Sequence, residues 1–372
     1  IVRGSKRSDI KLMDFSDLTK VYDGLPNIDG VVGVSLADVP PKVRDIVGFR
    51  LMAENTRKHL RPCIYCAENT EAIHEMSDIL LDGNEYEQNP IYSLGYSICS
   101  PLHWTDTAVK VFAFSAGHSI PVTINSEIML GGSSPVTIAG GISLGNSEVL
   151  SGIVINQILE SGRPVIYNLG FSHVLDMRTA AALSGAPECG LMAAAGADMA
   201  HYYKLPSAAW MSTDSLSTDS QSAFEHMLLL TAYLSSGINV IWGAGQIERQ
   251  LSLSKEQAVI DDEIFSYAKR FARGFEVNPE TLALDIIKKV GIGGEFLTEE
   301  HTLNHFKDEL KMSEIAMRNR RETLSQPEDM YMEKRAENYA DDILKQEKVC
   351  ISDEQEREVQ KVEKAWLKKY GY

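Results

Sequence analysis

The chain has 372 residues, 44% of them hydrophobic, which is enough to bury one large barrel or the cores of two ordinary domains. Its formal net charge of -16 argues against a nucleic-acid or anionic-membrane partner, because both need a concentrated positive surface. The sequence has no run of about 18 apolar residues and no signal-peptide core, so we expect a cytoplasmic protein without a membrane segment. These features favour a protein that handles small molecules.

From residue 60 to 245, short β-rich runs alternate with longer helical ones. The predicted β runs are 62–68, 91–100, 121–128, 164–171, 207–213 and 238–245. The predicted helices lie near 69–81, 104–117, 146–161, up to about 203, 219–236 and 255–273. Strict alternation predicts parallel strands with helical crossovers. With 31–36 as a seventh strand, the predicted fold class is α/β, a (β/α)8 TIM-type barrel whose eighth strand has no clear position.

Local signals set the predicted ends of individual helices. Asn146 or Ser147 is predicted to cap the helix near 146–161. Asp219 is predicted to begin the helix near 219–236, and Gly237 to close it.

The chain beyond about residue 275 is predicted to be helical and ends in the charged tail 313–372. Two groups of apolar residues recur there at helical spacing: Ala336, Tyr339, Ala340, Ile343 and Leu344, then Val359, Val362, Ala365 and Trp366. They predict two amphipathic helices that dock on the barrel or on a neighbouring subunit, with a coiled coil as the weaker alternative. We therefore expect a barrel domain over 1–312 and a helical extension over 313–372.

The cysteines and histidines do not predict a metal site. The five cysteines are scattered, which suits a reducing compartment. Cys63 and Cys66 have redox or zinc spacing but lack a second pair, so we expect two thiols on a strand. His301 and His305 have a spacing that can chelate zinc, yet they lack the glutamate of a zinc-protease motif. A surface or packing role is the favoured interpretation.

The stretch 129–150 is rich in glycine and runs into a predicted long amphipathic helix. Its glycine spacing differs from that of a dinucleotide loop, and it has no Gly-Lys-Ser/Thr, so it does not predict a phosphate site. Glycines at the carboxyl end of a strand instead allow the backbone to approach a large flat ligand or another helix.

The residues that finish the β runs are the candidate site residues, because the chemistry of a barrel lies at the carboxyl ends of its strands. Four of them are aromatic: Tyr96, Phe171, Trp210 and Trp242. Such rings can form a cage that attracts a quaternary ammonium group. Glu127, Asn168 and His173 follow the same strand ends and complete the predicted substrate-binding set.

Three stretches carry a resemblance to a known family. They are "PVTIAGGISLGNSEVLSGIVINQIL", "ENTRKHLRP" upstream of it and "GGEFLTEEHTLNHFKDEL" downstream. The sequence resembles the trimethylamine methyltransferase family, corrinoid-dependent barrel enzymes, from about residue 20 to 325. Founding members carry pyrrolysine in the stretch that matches 243–253, where this chain has only standard residues. The resemblance therefore points to the branch that demethylates quaternary amines such as glycine betaine.

This resemblance implies methyl transfer from a quaternary amine to Co(I) of a partner corrinoid protein, with no cofactor held tightly by this chain. Gly131, Gly132, Gly140 and Gly141 would then allow close approach of the corrin face. A quaternary ammonium leaves as a neutral tertiary amine, so no general acid is needed and no catalytic residue is assigned. A homo-oligomer is expected.

If the substrate is a betaine, its carboxylate needs a donor at the other end of the pocket. His173 is preferred for this role over Arg178 and Lys204, because it directly extends a strand end. Three other functions stay open: a lyase or hydrolase with Glu127 or Asp214 as base, a non-catalytic betaine-binding protein, and a zinc-dependent methyltransferase.

Overall fold

The computed structural model describes residues 1–4, 6–84, 89–324 and 326–372. Its centre is a curled sheet of parallel strands that follow one another in chain order. The strands are β1 (Gly30–Val32), β2 (His59–Arg61), β3 (Leu94–Ser97), β4 (Val122–Asn125), β5 (Val165–Gly170), β6 (Ser207–Trp210) and β7 (Val240–Trp242). A single parallel bridge between Leu60 and Tyr92 joins β2 to the β3 side.

Helices precede, connect and follow these strands. They are α1 (Leu12–Gly24), α2 (Arg44–Asn55), α3 (Asn69–Leu81), α4 (Asp106–Phe114), α5 (Ile138–Leu159), α6 (Pro187–Tyr203), α7 (Ser220–Ser235), α8 (Lys255–Arg273), α9 (Pro279–Leu282), α10 (Leu284–Val290), α11 (Glu300–Glu309), α12 (Met332–Leu344) and α13 (Asp353–Lys369). Asp219 caps α7 as predicted, since its carboxylate accepts the N–H groups of Gln221 and Ser222.

The predicted barrel class is confirmed, and the described part of the chain supplies seven parallel strands to it. A cavity of about 480 Å³ lies between β7 and β1, with Gly30, His59 and Trp242 among the residues that line it. Residues beside β7 and β1 line it where an eighth strand would stand in a closed (β/α)8 barrel, and Ser93, Pro121 and Ile166 line it on the lumen side of β3 to β5.

Three smaller sheets accompany the barrel in the described part of the chain. Met129–Leu130, His173–Leu175 and Ala182–Leu183 form a small sheet, called here the mouth sheet, at the carboxyl ends of β4 and β5. Gln246–Ile247 pairs with Ser252–Leu253 after β7, and Val2–Arg3 pairs with Lys6–Arg7 near the amino terminus.

Helix α5 begins at Ile138, eight residues before the predicted cap at Asn146, so the prediction of a glycine loop up to residue 145 is wrong. The glycines of α5 lie against the barrel. A Cβ at Gly145 would clash with the Leu169 side chain, and one at Gly152 would lie 2.5 Å from Ile124 Cγ2. The close packing of this helix on β4 and β5 therefore explains Gly145 and Gly152. By length and composition alone, α5 could also cross a membrane, a test that core helices of soluble proteins pass too.

Strand β2 ends at Arg61 rather than running over 62–68, because Pro62 has no N–H to continue the ladder. Cys63 and Cys66 consequently lie in the loop after the strand, and their predicted strand placement is wrong. Among the residues that the structure describes, no group of three or more His, Cys, Asp and Glu side chains could hold a metal ion.

The two tail helices pack on the barrel of their own chain. Helix α12 lies against α8 and α1, and α13 lies against α3 and α2. Buried Ala336, Ala340 and Ile343 on α12, and Val359 and Trp366 on α13, face these contacts as their spacing predicts. By contrast, α9, α10 and α11 bury none of their described residues. The domain boundary at residue 312 stays a prediction.

Candidate active site

Three of the four predicted aromatic residues, Phe171, Trp210 and Trp242, lie at the mouth of the barrel, where β5, β6 and β7 end. Trp210 and Trp242 are register partners on neighbouring strands, so both side chains leave the same face of the sheet. The ring centroids of Phe171 and Trp210 are 4.9 Å apart, and those of Phe171 and His173 are 5.7 Å apart. We call Phe171, His173, Trp210 and Trp242 the mouth cluster.

Each tryptophan of the mouth cluster is positioned by a different contact. The indole N–H of Trp210 donates to Gln246 Oε1, and the Trp210 carbonyl accepts the Tyr233 hydroxyl at 3.1 Å. Trp242 is 8% exposed, and its buried indole N–H has no partner among the described atoms. The Arg61 Cζ lies 4.7 Å from the Trp242 ring centroid, within cation–π range.

Arg61 extends from β2 into the barrel lumen and is 5% exposed. Its Nη1 donates to Thr123 Oγ1 on β4 at 2.9 Å. Burial lowers the pKa of Arg61 to about 10, so the guanidinium remains charged at neutral pH. None of the ion pairs in the described part of the chain involves this guanidinium. The lumen therefore holds a fixed positive charge beside the mouth cluster.

Amides form a second polar set at the ends of β3, β4 and β5. Asn168 Nδ2 donates to Asn125 Oδ1 at 2.8 Å, and Asn125 Nδ2 donates to Ser97 Oγ at 3.4 Å. The side-chain Oδ1 of Asn168 accepts the N–H of Gly170 at 2.9 Å. Asn168 is thus held in one orientation, and its mouth position agrees with the sequence prediction, while its role toward a substrate stays a prediction.

His173 and Glu127 lie beside the mouth cluster on the mouth-sheet side. The His173 Nε2 is 3.9 Å from Glu127 Oε1, and the buried His173 Nδ1 has no partner among the described atoms. Glu127 is exposed. These two groups could accept hydrogen bonds from a ligand.

Tyr96, the remaining aromatic prediction, lies outside the mouth cluster. It occupies the outward-facing parity of β3, where its ring packs edge-on against Phe112 at 6.2 Å and its hydroxyl donates to the Ile64 carbonyl. Burial raises its pKa to about 12. The inward parity of the same strand belongs to Gly95 and Ser97.

The other charged residues considered from sequence are placed elsewhere. Arg178 is exposed and bonds to Asp176 in its own loop, and Lys204 ends α6 at the opposite end of the barrel. Asp214 accepts the N–H groups of Ser184 and Gly185, and burial raises its pKa. These bonds engage both carboxylate oxygens of Asp214 in holding loops together.

The four glycines predicted to face a corrin ring contact their own chain. A Cβ added at Gly131 would clash with Met177, and one at Gly141 would clash with Leu130. A Cβ at Gly132 would lie 2.6 Å from Met129 Cε. At Gly140 the nearest atom would be Thr137 Oγ1, 2.8 Å away. Packing accounts for these glycines without a ligand, and their role toward a corrinoid stays a prediction.

The loop after β7 has an unusual backbone. Glu248, Arg249 and Gln250 have φ values of 53°, 57° and 72°, in the left-handed region that non-glycine residues seldom adopt. The N–H groups of Glu248 and Arg249 donate to the carbonyls of Ser215 and Thr213, which hold this turn to the neighbouring loop. Strained turns of this kind are concentrated at functional sites, and this one follows the Gln246 that holds Trp210.

Sequence reasoning did not single out Arg61 and Gln246. Arg61 lies in "HLRP", where alternation on a strand would put His59 and Arg61 on one face and Leu60 on the other. That alternation could have indicated an inward arginine. No local pattern indicates that Gln246 bonds to Trp210, 36 residues away.

Together, the fold and the site define a parallel α/β barrel protein whose mouth combines aromatic rings with a buried guanidinium. A family model described as "Trimethylamine methyltransferase (MTTB)" matches residues 2–362, and the chain belongs to this family.

Individual relatives agree with this membership. The trimethylamine methyltransferase MttB of Methanosarcina barkeri (strain Fusaro / DSM 804) is 36% identical over 300 residues, which cover 78% of this chain and 59% of the relative. The glycine betaine methyltransferase of Desulfitobacterium hafniense (strain Y51) is 30% identical over 311 residues, covering 82% and 64%. The chain thus spans about three fifths of the length of these curated relatives.

A solved structure agrees at the level of the fold. The monomethylamine methyltransferase MtmB of Methanosarcina barkeri superposes with a TM-score of 0.52 at 15% identity. The match covers 91% of this chain and 71% of that protein.

Proposed function

We propose that this chain transfers a methyl group from a quaternary amine, glycine betaine or a related betaine, to Co(I) of a partner corrinoid protein. The observation that carries the proposal is the mouth cluster, in which Phe171, Trp210 and Trp242 converge where barrel chemistry occurs. Ring faces attract a quaternary ammonium, which cannot donate a hydrogen bond. The glycine betaine methyltransferase among the relatives supports the choice of substrate.

The reaction needs positioning more than proton transfer. Co(I) attacks one N-methyl carbon in line, the C–N bond breaks, and its electron pair stays on nitrogen as the amine leaves neutral. No proton moves, so no acid–base pair is required. The methyl acceptor arrives as a substrate on its own protein. This chain would hold the ammonium against the rings and direct one methyl group outward.

The rim of the mouth offers a surface for that partner protein. Exposed apolar side chains stand in the loops that follow β3 to β7: Leu102, Val136, Met177, Leu216 and Leu251. Each comes from a different loop, so together they extend along the rim from the end of β3 to the end of β7. Exposed apolar residues gathered around a site are typical of protein interfaces. We call these five residues the apolar rim.

The first test mixes the purified protein with cob(I)alamin and a panel of glycine betaine, proline betaine, carnitine, choline and trimethylamine. Absorbance follows conversion of Co(I) to methyl-Co(III). We expect methylation with a betaine, and at least about 10-fold loss of kcat/KM in Trp210→Ala, because each lost ring contact is worth up to about 2 kcal/mol.

Tyr202→Ala is the matched control, since Tyr202 is an exposed aromatic residue on the outside of α6. It should retain full activity. If no amine methylates Co(I), also with a cognate corrinoid protein present, the proposed function is wrong.

A further inference from the structure

Arg61 is a buried cation whose surroundings do not neutralise it. In the described structure its partners are one hydroxyl, Thr123 Oγ1, and one ring face, Trp242. The sequence leaves room for it, because a Cβ at Gly95 would clash with the guanidinium. A side chain that donates five N–H groups is thus held in the lumen by few fixed acceptors.

A second buried arginine in this barrel, Arg163, has protein acceptors for its N–H groups. Arg163 donates to the carbonyls of Ile120 and Phe112, to Asn156 Oδ1 and to Ser115 Oγ. The Glu160 Oε2 also lies 3.6 Å from Arg163 Nε. Arg163 therefore belongs to the packing of the barrel wall. Arg61 has no comparable set, and burial of an uncompensated charge is costly unless a partner arrives.

We propose that Arg61 binds the carboxylate of the substrate and thereby selects zwitterionic quaternary amines over purely cationic ones. This inference rests on the proposed function, because it assigns the second half of the same pocket. A carboxylate would accept charge-assisted hydrogen bonds from the guanidinium. A cation without a carboxylate would instead place a second positive charge beside a buried one.

A continuous series of contacts connects Arg61 with the rings of the mouth cluster. Trp242 contacts Arg61 with its ring and is the register partner of Trp210, about 5 Å away along the sheet. Trp210 in turn contacts Phe171. An ammonium held against the Phe171 and Trp210 rings would thus have Trp242 and then Arg61 on its inner side. In glycine betaine two bonds join the nitrogen to the carboxyl carbon. With its ammonium at the rings, its carboxylate would therefore point inward, toward Arg61.

The experiment measures binding without any corrinoid, by isothermal titration calorimetry. The ligands are glycine betaine, proline betaine and carnitine, each beside its methyl ester, which keeps the ammonium but removes the negative charge. For at least one pair we expect the wild-type protein to bind the zwitterion at least about 30-fold more tightly than the ester, as for a buried charge pair.

Arg61→Met should remove this preference, and Arg61→Lys should retain part of it. Arg57→Met is the matched control, because Arg57 is an exposed arginine near the amino-terminal end of the same strand. It should keep the wild-type preference. Circular dichroism checks that each variant is folded. If Arg61→Met does not fold, the comparison of zwitterion with ester in the wild type tests the inference.

Equal binding of zwitterion and ester by the wild type in all three pairs would overturn the inference. A folded Arg61→Met that keeps the preference would do the same. Because binding needs no methyl transfer, the two proposals fail separately. A preference for zwitterions without methylation of Co(I) would remove the proposed function alone, and methylation without the preference would remove the role of Arg61 alone.

Discussion

Gly95 and Arg61 form a pair in which the smaller residue determines where the larger one lies. The absence of a side chain at Gly95 is what admits the guanidinium between β2 and β3. The same guanidinium then reaches Thr123 and Trp242 on other strands. A glycine in a strand interior often marks such a close approach.

We expect Gly95→Ala to displace the Arg61 guanidinium and to weaken betaine binding about 10-fold, since a charge-assisted hydrogen bond contributes about 1.5 kcal/mol or more. Titration calorimetry with glycine betaine, or with the betaine that the wild type binds, checks this. Gly48→Ala is the control, because no atom lies within 4 Å of a Cβ there and alanine suits helix α2. Unchanged betaine affinity in Gly95→Ala would show that the position of Arg61 does not matter for binding.

At the scale of elements, α5 illustrates how packing overrides helix propensity. Its buried face carries Gly141, Gly145, Glu148 and Gly152. Glu148 is fully buried and accepts hydrogen bonds from Ser126 Oγ, Ser100 Oγ and the Leu102 N–H. The glycines bring the helix close to β4 and β5, and the glutamate then ties it to two loops at the mouth.

Gly145→Ala should therefore destabilise the protein although alanine favours a helix by about 1 kcal/mol over glycine. The new methyl group would clash with Leu169, and overpacking of this kind costs about 1–3 kcal/mol. The midpoint of urea unfolding measures the change. Ser147→Ala, on the exposed face of the same helix, should leave the midpoint within error. A midpoint raised by Gly145→Ala would contradict the close packing of α5.

The sequence predicted the ends of some helices better than those of others. Helices α3 and α8 match the predicted 69–81 and 255–273 because their apolar periodicity is regular. Three glycines among the first eight residues of α5 make its start resemble a loop in the sequence, because glycine is a poor helix former. Packing of Gly141 on Leu130 and of Gly145 on Leu169 holds this part of the chain in the helix.

At the scale of the whole molecule, substitutions in the apolar rim can distinguish docking of the corrinoid protein from the methyl transfer itself. Met177 and Leu251 are 66% exposed and stand in the loops after β5 and β7. We expect Met177→Glu and Leu251→Glu to lower methyl transfer to a corrinoid protein at least about 10-fold, because charged residues are depleted in interface cores. Transfer to free cob(I)alamin should not change, because the small acceptor needs no docking surface.

Leu191→Glu provides the comparison, since Leu191 is an exposed apolar residue of α6 outside the mouth loops. It should leave both reactions unchanged. Equal loss with free cob(I)alamin and with the corrinoid protein would mean that the rim residues shape the pocket and do not contact the partner protein.

The candidate site was only partly predictable. Phe171, Trp210 and Trp242 were recognised because they finish predicted strands, and parallel register then brings them together. Tyr96 also finishes a strand, but it occupies the outward parity and packs on Phe112. Strands of a parallel barrel are buried on both faces, so hydrophobicity does not reveal which parity faces inward.

The sequence by itself determined the α/β alternation, the barrel class, the amphipathic tail helices and the aromatic character of the strand ends, because these depend on periodicity within one segment. Only the tertiary structure decided that α5 starts at Ile138, that Gln246 holds Trp210, and that Arg61 enters the lumen beside Trp242. Each of these depends on contacts between residues far apart in the chain. Such contacts arise from register and packing, which a local pattern does not encode.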